Sequence, residues 1–186
     1  MKRLIPFLIG AALLVGAALV HLAEPPDEIR QGPFEVSVQQ GQSGVGRNIE
    51  VTFENLRFAE TVESADDFEP WVGETEGIWL VVDVVAQTRV EPTGIHSFLL
   101  IDGLQVSGST RAGAVGLEDS TLSPGLPVAG VLLFEVPRDV VDLTEARVLV
   151  GVNTDWRLDS AISISFNPSS IEVERHVLIA EQVRVP

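Results

Sequence analysis

Ile78-Trp79-Leu80-Val81-Val82-Asp83-Val84-Val85-Ala86 is apolar on both faces of an extended chain, with Asp83 as its only charge. That is the pattern of a central strand covered from two sides, so this segment is expected to form the core of a sheet. Downstream, the run His96 to Ile101, the pair Asp102-Gly103 and the run Leu104 to Val106 predict a β-hairpin. A tight type I′ turn needs positive φ at both central positions, which Asp-Gly supplies at little cost. Upstream, Phe34, Val36 and Val38 alternate with Glu35, Ser37 and Gln39, and Ile49, Val51 and Phe53 alternate with Glu50, Thr52 and Glu54. Both stretches read as half-buried strands. Further strands are expected at 127–136, 146–152, 161–166 and 171–185, separated by clusters of Pro, Gly, Asn and Asp. The spacing suits an all-β, immunoglobulin-like two-sheet β-sandwich. It lacks the cysteine pair that staples antibody domains.

One N-terminal hydrophobic helix is expected before the sandwich. Met1-Lys2-Arg3 leads into Leu4 to Val20, which carries no charge, and Glu24, Asp27 and Glu28 follow. At about 1.5 Å rise per residue such a helix falls slightly short of a ~30 Å hydrocarbon core and is long for the apolar part of a signal peptide. Residues 1–23 therefore read as a signal anchor with a transmembrane stretch at 4–20, or as a signal peptide cut after Ala18, with Gly16 and Ala18 as the small residues that cleavage requires. Positive charge before the segment and negative charge after it put the N-terminus in the cytoplasm and the rest outside. Glu24-Pro25-Pro26-Asp27 opens a stiff, Pro-rich linker over 24–33, and an extracytoplasmic domain is expected over 34–186.

The composition narrows the function classes. Acidic residues number 27 against 12 basic, for a net charge of −15 over 186 residues. Such a field repels phosphate backbones, so no nucleic-acid partner is expected. With 45% hydrophobic and 21% charged residues the chain can bury a core. The absence of cysteine removes disulfides, thiol catalysis, thiolate metal sites and lipid attachment through a cysteine. Lys2 is the only lysine, and arginine carries the positive charge beyond residue 3. A GC-rich genome and a salt-adapted proteome both produce that bias.

Gly77-Ile78-Trp79-Leu80-Val81-Val82-Asp83-Val84, Phe98-Leu99-Leu100-Ile101-Asp102-Gly103, and Leu122-Ser123-Pro124-Gly125 leading to Gly130-Val131-Leu132-Leu133-Phe134-Glu135-Val136-Pro137 together carry a resemblance. Over about residues 48–150 the chain resembles a bacterial domain-of-unknown-function family of exported immunoglobulin-like domains. Its members are often lipid- or helix-anchored and related in fold to the immunoprotective extracellular protein family. The resemblance implies a fold and a location outside the cytoplasm, with no established catalytic residues. Gln87-Thr88 and Val106 depart from the family pattern, and no lipid-bearing cysteine precedes the domain.

The inventory for chemistry is thin. His21 ends the apolar segment, which leaves His96 and His176 for the domain. His176 reads as a surface residue paired with carboxylates. His96 and Ser97 are adjacent in a strand, so their side chains point to opposite faces and do not form a nucleophile and base. Asp66, Asp67 and Glu69, and likewise Glu118-Asp119, read as solvated acidic loops without the ligand spacing of a calcium loop. Gly41-Gln42-Ser43-Gly44-Val45-Gly46 matches no phosphate or dinucleotide loop and reads as a flexible connection. Trp79 is expected in the core, whereas Trp71 and Trp156 either anchor a partner or fold back to cap the sandwich. Ile171 to Val185 reads as one long terminal strand.

No catalytic, cofactor-binding or metal-ligating residue is assigned, and the chain is expected not to be an enzyme. The expected function is a membrane-anchored interaction or scaffold module of the cell envelope, with an envelope protein as partner. A secreted ligand-binding or calcium-binding sandwich is the alternative. A secreted hydrolase ranks third for want of a nucleophile and base.

Overall fold

The computed structural model describes residues 5–23, 32–65, 70–118 and 120–185. The chain divides into two compact units, residues 1–32 and 33–186. In the first, Ile5–Ala23 forms one α-helix, α1, of 19 residues. Among the described residues no helix is long and apolar enough to cross a membrane, the described side chains of α1 being those of 10, 12–19 and 21. Residues 24–31 of the expected linker lie outside the described residues.

The second unit is built from strands β1 (Phe34–Val38), β2 (Ser43–Val45), β3 (Glu50–Ser64), β4 (Val72–Gln87), β5 (Thr93–Ile101), β6 (Leu104–Ser107), β7 (Thr121–Leu122), β8 (Val128–Val136), β9 (Ala146–Val152), β10 (Ser160–Phe166), β11 (Val173–Ile179) and β12 (Val183–Arg184). Sheet A has the order β1-β10-β9-β5-β6, with β7 beside the start of β5. Sheet B has the order β11-β3-β4-β8-β12, with β2 beside the start of β3. Consecutive strands β4 and β5 lie in opposite sheets, as do β8 and β9, while β4 pairs with β8 and β5 with β9. This interlocking makes the molecule an all-β, immunoglobulin-like two-sheet sandwich. The strands β1 and β11 pair in parallel, with β10 and β3 respectively, and the other ladders are antiparallel.

Period-two alternation directs one side of each strand inward. Phe53, Phe58, Leu80, Val82, Leu99, Leu132, Phe134, Val148, Val150 and Ile162 are fully buried between the sheets. Each contributes roughly 1.5–3 kcal/mol relative to exposure. The doubly apolar segment 78–86 has the cover its sequence demands. Trp79 and Val81 point out of sheet B into a second cluster with Ala59, Val62, Leu133, Val177 and Ile179. Ala112 and Val115, from the β6–β7 connection, complete that cover. The connection is held along β8 by Ser109 N–H to the Leu133 carbonyl at 2.7 Å and Leu117 N–H to the Val131 carbonyl at 2.8 Å.

At the β5–β6 turn Asp102 and Gly103 take φ of 47° and 74°, the backbone the Asp-Gly pair predicts. Three expectations need correction. The Gly41–Gly46 stretch contains strand β2, whose Gly44 lies so close to Ile162 that no side chain fits there. The terminal strand expected at 171–185 is two strands, β11 beside β3 and β12 beside β8, because the chain crosses sheet B between them. Strand β3 extends to Ser64, and its ladder with β4 shifts register at Phe53/Asn55 and at Ala59/Thr61. Each shift interrupts the alternation by which a strand is recognised.

Candidate functional site

Between Ile95 and Ser97 the outer edge of β5 has no strand neighbour, since β7 pairs only with Thr93 and Gly94 and β6 begins opposite Phe98. The Glu118 carboxylate fills that gap. It accepts the Ser97 backbone N–H at 3.2 Å and the Ser97 hydroxyl at 2.5 Å, and it lies 3.5 Å from His96 Nδ1. The Glu118 side chain is only 7% exposed, and Ser97 is fully buried. Glu118 is therefore a buried group satisfying an orphaned backbone donor, and the expectation of a solvated acidic loop is corrected for it. Asp119, and the acidic residues Asp66, Asp67 and Glu69, lie outside the described residues. Gly108 makes room for the carboxylate: a Cβ there would overlap both Glu118 Oε2 and Ser97 Oγ.

Serine, histidine and a carboxylate thus meet within one cluster. Their arrangement is not that of a nucleophile activated by an imidazole, because Ser97 donates its hydroxyl to Glu118 and points into the core. A signal for the cluster was present in the sequence. Ser97 stands in the inward row Ile95, Ser97, Leu99, Ile101, and a polar side chain there requires a buried partner.

The tryptophans fold back. Trp71 meets Trp79 edge-on with ring centroids 5.8 Å apart, and Trp156 meets Phe98 edge-on at 4.8 Å. Trp79 Nε1 donates to the Gly73 carbonyl at 2.9 Å, and the Arg111 guanidinium lies 5.2 Å from the Trp79 ring centre. Arg111 also pairs with Glu135 at 2.8 Å. The Thr75 hydroxyl, followed by Arg111, holds the Glu135 carboxyl below the usual range. Elsewhere on the outer face of sheet B, Arg57 Nη2 grips both oxygens of Asp83 at 3.0 and 2.8 Å. Burial raises the Asp83 pKa, and the Arg57 charge opposes that rise. His176 Nε2 lies 2.8 Å from Glu63 on the exposed side of β11.

A cleft of about 510 Å³ opens at the β5–β6 turn, lined among others by Leu100, Asp102, Leu143, Glu145, Arg147 and Ser165. Among the described residues, no three His, Asp or Glu side chains converge to hold a metal ion.

No family model matches the chain, and no curated protein matches it. Among solved structures the chain is similar to an uncharacterised β-sandwich protein from Clostridium difficile 630. The identity is 13%, covering 76% of this chain and 99% of that one, with a TM-score of 0.50. It is also similar to the yjhA protein from Bacillus subtilis, at 14% identity over 68% of this chain and 98% of that one, with a TM-score of 0.46. The first likeness supports a β-sandwich fold and nothing finer.

Proposed function

We propose that the protein is a membrane-tethered, non-enzymatic module of the cell envelope. Its N-terminus is cytoplasmic, its sandwich lies outside, and it binds or scaffolds another envelope protein. One observation carries this reading: Leu4 to Val20 bears no charge and lies between Lys2-Arg3 and Glu24, and its residues from Ile5 onward belong to the continuous helix Ile5–Ala23. At about 1.5 Å per residue the helix is about 28 Å long, close to the ~30 Å of a hydrocarbon core. The basic-before, acidic-after order supports the orientation. The motif resemblance to exported immunoglobulin-like domains supports the location. For the non-enzymatic part, the support is that the Ser97 hydroxyl is buried and engaged, while His176 pairs with Glu63 at the surface.

The test is crosslinking of the full-length protein in native membranes, followed by mass spectrometry of its partners and of its own N-terminal peptide. The expected result is an intact segment 1–23 together with a reproducible envelope partner. A released chain beginning near residue 19 or 24, without a partner, overturns the tethered-module reading in favour of a secreted binding protein.

A further inference from the structure

The two ends of the sandwich differ in chemistry. At one end the chain enters the domain, where the Phe34 N–H donates to the Asp159 carbonyl at 2.7 Å. The same end gathers three loops, each placed by a contact of its own. The β4–β5 loop is held by Asn48 Oδ1, which accepts the N–H groups of Arg89, Val90 and Glu91. The β7–β8 turn joins it through the bridge between Thr88 and Pro124. The β9–β10 loop joins through Thr93 Oγ1 to Asn153 Oδ1 at 2.9 Å. Arg47 N–H reaches Ser160 Oγ at 2.9 Å, tying sheet B to sheet A there. Arg184 pairs with Val128 at the start of β8 and so belongs to this end as well.

Exposed apolar side chains concentrate here. Phe34, Val45, Val90, Leu126, Leu158 and Val183 are 65%, 45%, 72%, 45%, 58% and 57% exposed. Leu158 also holds a positive φ of 58°, an arrangement that costs a leucine backbone strain and leaves its side chain in water. Arginines concentrate too, with Arg47, Arg89, Arg157 and Arg184 at this end. Among the described residues only Arg157 of these pairs with a carboxylate, Asp155 at 2.6 Å. Elsewhere on the domain Arg57, Arg111, Arg138 and Arg147 are each paired, and among the described residues Arg175 on β11 is the one arginine there without a carboxylate partner. Among the described residues the other carboxylates of this end are Glu50, which accepts Ser43 and Gln87, Asp159, which accepts the Ser160 N–H, and Glu91. A chain of net charge −15 thus presents one end where four arginines stand among as many described carboxylates, and Arg47, Arg89 and Arg184 have no carboxylate partner among the described residues, beside exposed aliphatic and aromatic groups.

We propose that this end of the sandwich rests on a phospholipid surface, with the unpaired arginines on headgroup phosphates and the apolar side chains at the acyl boundary. Guanidinium groups match phosphate geometry, and aliphatic residues beside them gain burial in the interface. The acidic remainder of the domain is repelled by an anionic bilayer, which selects this end for contact. The inference rests on the tethered reading, which keeps the domain at high effective concentration near the bilayer.

The chain has no cysteine, so single-cysteine variants report position cleanly. Val90→Cys and Leu126→Cys, with Thr144→Cys beyond the opposite end as control, carry a polarity-sensitive fluorophore. The full-length chain is reconstituted with vesicles of phosphatidylcholine and a minor share of phosphatidylglycerol. The expected result is flotation with the vesicles, with blue-shifted emission and quenching by lipid-borne nitroxide at 90 and 126 but not at 144. Adding Arg47→Gln and Arg89→Gln lowers the quenched fraction by roughly tenfold. Flotation with all three labels in water overturns this inference and leaves the tether standing. Failure to float overturns both. Shielding of 90 and 126 only in native membranes, with crosslinks to a protein, assigns the end to a protein partner and also overturns the inference.

Discussion

The Glu118 carboxylate takes the place of a strand neighbour that β5 lacks beside Ser97, accepting both the backbone N–H and the hydroxyl of that residue. Its seat exists because residue 108 has no side chain. Gly108→Ala pushes a methyl group into the carboxylate and Ser97 Oγ, and is expected to destabilise the fold by about 1–3 kcal/mol in urea unfolding. An unchanged midpoint would show that the loop yields freely and that the carboxylate is not locked. Asp83 gives a residue-scale test in pH. Burial raises its folded pKa above the ordinary 3.8, against the pull of Arg57, so the folded state holds this proton more tightly than the unfolded chain. The resulting contribution is complete below the unfolded value and is lost as pH rises through the folded one. Thermal unfolding of wild type and Asp83→Asn across that acidic window is therefore expected to show wild type losing ground to the variant as pH increases. A difference moving the other way would mean that the Arg57 charge outweighs burial.

At the scale of elements, the β5–β6 hairpin is the part most completely written in local sequence. Asp102-Gly103 demands positive φ at two adjacent positions and obtains it. Gly103→Ala is expected to cost about 1 kcal/mol, read as a lowered melting temperature, because a Cβ disfavours this backbone. A variant melting with the wild type would place the turn outside the cooperative unit. Strand β4 was legible over Ile78–Ala86, since nine successive residues with one charge leave a sheet interior as their only comfortable place, whereas its opening stretch Val72–Gly77 read as loop. Strand β3 was legible only to Phe53. Beyond it the bulges move Leu56, Phe58, Ala59 and Val62 out of strict alternation while keeping all four buried. The division of 171–185 into β11 and β12 escaped for a related reason. Alternation marks extended chain without stating which neighbour it pairs with, and these strands join opposite edges of sheet B.

Across the whole molecule, 27 carboxylate residues against 12 basic ones set up a self-repulsion that folding concentrates. Exposed ion pairs such as Arg138 with Glu60 return little of that cost. The melting temperature is accordingly expected to rise between about 10 mM and 1 M salt, as the Debye length shrinks from ~30 to ~3 Å. A fall would mean that the surface pairs outweigh the net charge.

The sequence by itself determined the all-β class, the apolar N-terminal helix, the hairpin turn and the doubly covered central strand. Each of these follows from periodicity, φ preference or local hydropathy, which are properties of neighbouring residues. Only the tertiary structure decided that Glu118 is buried, that Trp71 and Trp156 cover sheet faces, and that the unpaired arginines and exposed apolar groups share one end. Those facts depend on contacts between residues far apart in the chain, such as Ser97 with Glu118 and Arg47 with Ser160, and no local pattern encodes the approach of such partners.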